Sequence, residues 1–111
     1  MKTRIWTDEA NAKRAEGCRI CGSYEVELAH VTWRKHDRPR TPGAKTVYVE
    51  PESVVPLCTL HHRAYDAHAQ DLLPYLTLSE QLRAVEDEGG IELARKRLAP
   101  SAYRREEAVA C

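Results

Sequence analysis

An α+β fold is what this 111-residue sequence predicts, and three observations predict it. Two close pairs of metal-capable side chains, Cys18-x2-Cys21 and Cys58-x2-His61, bracket the middle of the chain. Between them, Glu25 to Val31 (EVELAHV) and Thr46 to Glu50 (TVYVE) alternate polar and apolar side chains as short strands do. From Thr59 onward the pattern turns helical and is punctuated by Pro74, Gly89-Gly90 and Pro100.

Composition explains why a metal staple is expected. The chain has no Phe and one Met, and Leu, Ile and Val make up roughly a fifth of it, close to the level at which a small domain no longer folds unaided. Structural zinc in finger-like peptides contributes about 10–16 kcal/mol of apparent binding energy, more than the net stability of a typical domain. Residues 1–111 are expected to form a single domain, with a core over 18–70, an N-terminal helix over 7–16 and a helical extension over 77–99. No segment has the apolar core of an export signal or the length of a membrane span, so no membrane partner is expected and the predicted location is the cytoplasm. In that reducing compartment paired cysteines are metal thiolates rather than disulfides. Cys111 has no partner spacing and reads as a tail residue.

Each element has a local reason. Thr7 can cap the first helix, Asp8 and Glu9 favour its positive end, and Gly17 suits its stop. The knuckle Cys18 to Gly22 follows, then the strand over Glu25 to Val31. The segment RKHDRPRTPGAK, with Arg34, Lys35, Arg38, Arg40 and Lys45 against a single Asp37, is an irregular basic loop joining the two strands. It can serve as a phosphate contact through counterion release, the alternative being a solvated loop that happens to be basic.

Pro51 and Pro56 argue against a long strand before Cys58. Thr59 is predicted to cap a helix running through LHHRAYDAHAQDLL until Pro74 ends it. Thr77-x-x-Glu80 is a capping box that opens a further helix, with Leu78, Leu82 and Val85 on one face and Gly89-Gly90 as terminator. Ile91 to Ala99 forms the last helix, ended by Pro100.

The polar residues divide naturally on this outline. Cys18, Cys21, Cys58 and His61 provide the four ligands of a tetrahedral zinc, with His62 as the alternative closing ligand. Neighbours on a helix point about 100° apart, so His61 can close this site while His62 faces elsewhere. Asp66 lies one turn beyond His62 on the same side, although it could instead pair with Arg63. His68 reads as a surface residue or reserve ligand, and Tyr65 as packing over the knuckle. Trp33 is expected in the core, with stacking on a base or sugar as the alternative.

In the window Cys18 to His68, the order CRICG, then ELAHV, then SVVPLCTLHH resembles the HNH endonucleases with a ββα-metal (His-Me finger) core, particularly the compact phage-type members. The resemblance implies that His30, at a strand end, deprotonates the water that attacks the scissile phosphorus. It implies that His62, with Asp66, holds a catalytic divalent cation such as Mg²⁺ or Mn²⁺, and that the four-ligand zinc is structural. Ser53 falls where the family has its middle asparagine, which orients the catalytic histidine, and Ala29 where it often has an acidic metal ligand. A loosely held ion completed by water and substrate oxygens is therefore expected.

The predicted function is that of a metal-dependent DNA endonuclease, with DNA and a larger phage assembly as partners. The alternative is a non-catalytic zinc-stapled DNA-binding module, or an accessory subunit of a packaging or recombination machine.

Overall fold

A computed structural model describes residues 3–102 and places them in an α+β arrangement of small sheets and short helices. Strand β1 (Thr3–Trp6), unforeseen because four residues carry little periodic signal, leads into helix α1 (Asp8–Ala12). Thr7 caps α1 as expected: its hydroxyl accepts from the Ala10 N–H at 3.1 Å and donates to the Val49 carbonyl at 3.1 Å. A 3-10 turn over Lys13–Glu16 finishes the predicted helical segment. Gly17 then takes φ +80°, and an added Cβ would meet the Gly22 and Ser23 carbonyl oxygens at 3.2 and 3.3 Å. Glycine is required there by both conformation and space.

The two strands joined by the basic loop lie in different sheets. Strand β2 (Glu27–His30) does not pair with β3 (Thr46–Val49), which runs parallel to β1. It pairs antiparallel with β4 (Val54–Leu57), a strand that Pro56 hid from the sequence. The reason Pro56 is tolerated lies in the register. The Val31 N–H donates to the Ser53 carbonyl at 2.8 Å, so hydrogen-bonded pairs alternate from there and Leu28↔Pro56 is a non-hydrogen-bonded pair. The missing proline N–H therefore costs no ladder bond, and the Pro56 carbonyl, facing outward, accepts from the Arg19 N–H at 3.0 Å.

This two-stranded ribbon carries apolar side chains on both faces. Ala29, Val55 and Leu57 join Cys18, Tyr65, Leu72, Ala84, Ala94 and Leu98 in one core, while Leu28 and Val54 join Ala10, Val49 and the half-buried Trp6 in another. The alternation of a strand thus divides the small apolar complement between a helical side and the β1/β3 side.

Helix α2 (Thr59–Asp66) begins at an N-cap formed by Cys58 rather than Thr59, and it is shorter than predicted. It stops because His68 takes φ +59°, with Ala69 N–H bonded back to the Ala64 carbonyl at 2.8 Å. This left-handed closure does the work assigned in the sequence to Pro74. Helix α3 (Leu78–Glu88) has both arms of the predicted capping box and ends at Gly89. Its buried side is not the leucine face: Leu78 and Leu82 are 70% and 59% exposed, whereas Glu80, Arg83 and Ala84 are buried. Glu80 turns inward because it pairs with Lys13 at 2.5 Å and with Arg19 at 2.8 Å. Helix α4 (Ile91–Leu98) closes the core through Ala94 and Leu98. No helix among the described residues is long and apolar enough to cross a membrane.

Candidate metal centre and adjoining cleft

The turn after Gly17 brings Cys18 and Cys21 to the N-terminal end of α2. The Cys18 N–H bonds to the Ser23 carbonyl at 2.7 Å and the Gly22 N–H to the Cys18 carbonyl at 2.8 Å, closing the knuckle backbone. Ligand atoms of Cys18, Cys21, Cys58 and His61 then lie within 4.8 Å of one another. Sulfur atoms of Cys21 and Cys58 are 3.8 Å apart, and His61 Nδ1 lies 3.7 Å from Cys18 Sγ and 3.1 Å from Cys58 Sγ. A tetrahedron with Zn–S of about 2.3 Å and Zn–N of about 2.0 Å has S–S edges of about 3.8 Å and S–N edges of about 3.5 Å, so this donor set could hold zinc.

Electrostatics point the same way. Burial pushes the Cys18 thiol up, but the backbone N–H groups of Cys58, Cys21 and Ile20 and the Cys21 side chain outweigh it and bring the thiol down to about 6. Cys21 moves in the opposite direction: the Ser23 amide favours its thiolate, yet desolvation and the neighbouring Cys18 and Cys58 raise it. Three thiols this close resist joint ionisation, and a dication relieves that repulsion.

His62 points away from this cluster, into a cleft of about 480 Å³. Besides His62, its charged and imidazole lining comes from His30, Arg34, Asp66, His68 and Arg97. His62 Nε2 lies 3.5 Å from Asp66 Oδ2, and its Nδ1 lies 3.1 Å from Glu27 Oε1. Asp66 therefore faces His62 as the helical spacing predicts. His30 is held from two sides: its Nε2 is 2.9 Å from Asp37 Oδ2, and the Trp6 ring packs edge-on with centroids 5.5 Å apart. Among the described residues, Cys18, Cys21, Cys58 and His61 are the group of three or more metal-capable donors close enough to chelate one ion.

Several predicted residues stand elsewhere. Ser53 is buried, its Oγ has no hydrogen-bond partner, and it is not part of the cleft wall. Its position at the mouth of β4, opposite Val31, uses its carbonyl rather than its hydroxyl. The basic loop is partly neutralised: Arg38 pairs with Glu86 at 2.9 Å and Asp87 at 2.8 Å, and Arg40 pairs with Glu50 at 2.8 Å while lying over the Tyr48 ring. Arg34 reaches the cleft from a 3-10 turn over Arg34–His36. Lys35 and Lys45 are exposed and take no part in the cleft wall. Trp33 is 55% exposed at the cleft rather than in the core. Cys111 lies outside the described residues.

Tyr65 packs in the core that contains Cys18, and burial raises its phenol to about 12, with Arg97 only partly opposing. Its hydroxyl donates to the Val31 carbonyl, which also accepts from Arg97 Nε at 3.2 Å. Arg97, from the C-terminal helix, thereby enters the cleft wall beside His30, sandwiched near the Trp33 and Tyr65 rings. Nothing in the sequence singled out Arg97, Trp6 or Arg4. Asp37 did carry a signal, as the lone acid in a run of cations.

No family model, no curated protein and no solved structure matches this chain.

Proposed function

We propose that the cleft is the active site of a metal-dependent DNA endonuclease with a structural zinc beside it. One observation carries this reading: His30 at the end of β2 and His62 with Asp66 on α2 line the same cleft, while His61 turns to the Cys3His cluster. An antiparallel pair of strands followed by a helix, with these residues at those places, agrees with the resemblance to the ββα-metal core of HNH endonucleases.

In this reading the His30 imidazole accepts a proton from the attacking water, and the new P–O bond forms as the bond to the 3′ oxygen breaks. A Mg²⁺ or Mn²⁺ ion held by His62 and Asp66 would supply positive charge for the phosphate and the departing oxygen. Arg34 and Arg97 add fixed cationic groups to the wall along which a DNA backbone would lie. With Ala29 fully buried, His62 and Asp66 would hold such an ion with few further protein donors, and water and substrate oxygens would supply the rest.

The buried Ala29 and the position of Ser53 outside the cleft favour a second reading, in which the same surface binds DNA without cutting it. Plasmid nicking with Mg²⁺, Mn²⁺, Ni²⁺ and Zn²⁺ separates the two. The wild-type chain is expected to relax supercoiled DNA, and His30→Ala to slow this by about 10²–10⁴-fold, the usual worth of a general base. Intact plasmid under every metal, or equal cutting by His30→Ala, would overturn the endonuclease reading.

A further inference from the structure

Asp37 lies in a segment whose composition is basic, yet its side chain is only 2% exposed. The 3-10 turn over Arg34–His36 folds the chain back, with the Asp37 N–H on the Arg34 carbonyl at 3.0 Å, so that the carboxylate meets the His30 ring. Oδ2 lies 2.9 Å from His30 Nε2 and also accepts from Arg4 Nη1. A buried carboxylate is costly unless a cation compensates it, and the Arg4 guanidinium provides that compensation.

The consequence is chemical. An ionised carboxylate has acceptors and no donor, so the atom of His30 that faces it must carry a hydrogen. That atom is Nε2, which leaves the lone pair on Nδ1. Trp6, edge-on to the imidazole with an interplanar angle of 74°, restricts rotation of the ring. Arg4 and Trp6 both come from β1, so the first strand and the basic loop grip one histidine from two directions.

We propose that Asp37 is the positioning residue of His30, holding it in the Nε2–H tautomer with Nδ1 as the proton acceptor. This takes over the orienting role that the family resemblance assigns to position 53, where the Ser53 hydroxyl is buried without a partner. The assignment of Nδ1 as catalytic base rests on the endonuclease reading, whereas the tautomer itself does not.

The test is long-range ¹H–¹⁵N correlation of the histidine side chains in the full, zinc-loaded chain, with His30→Ala identifying the His30 signals. Wild-type His30 is expected to be protonated on Nε2 in its neutral form. In Asp37→Asn, Arg4 competes for the amide carbonyl and the NH₂ group turns to His30, so the proton should move to Nδ1; Asp37→Ala should give a mixture. Nicking by Asp37→Asn should fall by about 10–10⁴-fold, spanning the loss of a supporting partner and a tautomer reversal, with DNA affinity unchanged. A wild-type Nδ1–H tautomer, or unaltered cutting by Asp37→Asn, would overturn the proposal. The wild-type spectrum decides the tautomer even if the variants fail to fold. A wild-type chain that cuts no DNA but shows the predicted tautomer and its reversal supports the Asp37 contact and removes the endonuclease reading instead.

Discussion

The two sides of α2 differ in how completely their donors are used. On one side His61 completes a set of four ligand atoms within 4.8 Å, half-sunk against the main core. On the other, His62 meets Asp66 at 3.5 Å at the edge of an open cleft. A closed tetrahedral set leaves no position for substrate and contributes to folding; an incomplete set on a concave wall leaves room for a ligand to complete it. Adjacent residues of identical chemistry thus enter different surroundings through a rotation of about 100° along one helix.

The largest effect is expected at the metal. Chelation is expected to remove on the order of 10 kcal/mol of stability and to expose the backbone amides from the knuckle through α2 to hydrogen exchange. Metal content should follow the same division: His61→Ala loses the tightly held zinc, and His62→Ala keeps one zinc per chain, as measured by atomic emission after gel filtration. Cooperative unfolding that survives chelation, or zinc lost from His62→Ala alone, would reverse the roles given to the two histidines.

A smaller effect is expected at Glu80, which ties α3 to the knuckle side through Arg19 and Lys13. Burial pushes this carboxyl up, but the bonds from Arg19, Lys13 and the Thr77 amide outweigh it and hold it near 2, below its ordinary 4.5. Because the folded value is depressed, the stabilisation is complete above about pH 4.5 and is lost as the pH falls towards 2. Glu80→Gln should cost about 3–5 kcal/mol at neutral pH by removing the buried carboxylate that Lys13 and Arg19 share, and should flatten the acid limb of the stability profile. Denaturant melts from pH 2 to 7 would show it, and an unchanged acid limb would remove Glu80 from this role.

The smallest expected change sharpens the cleft side. Arg34 faces the cleft, whereas Arg40 is engaged by Glu50 and the Tyr48 ring. Arg34→Ala should reduce the slope of log affinity for DNA against log salt by about 1, and Arg40→Ala should leave it nearly unaltered. Equal slopes for the two variants would mean that the loop acts as a diffuse charge rather than through the cleft.

Local rules were readable wherever one residue acts on its immediate neighbours. Thr7, Gly17, the Thr77/Glu80 capping box and the two x2 ligand pairs needed only short-range geometry, and the 3.6-residue period separated His61 from His62 and aligned His62 with Asp66. Tertiary structure decided what depends on distant partners. The pairing of β2 with β4 turns on the register that lets Pro56 sit in a non-hydrogen-bonded pair, and the burial of Glu80 in place of Leu78 and Leu82 turns on cations from the first 19 residues. The environment of His30 is of the same kind. Asp37, Arg4, Trp6 and Arg97 reach it or its cleft from a loop, an N-terminal strand and a C-terminal helix, and sequence spacing cannot encode an encounter between segments whose proximity is set by packing.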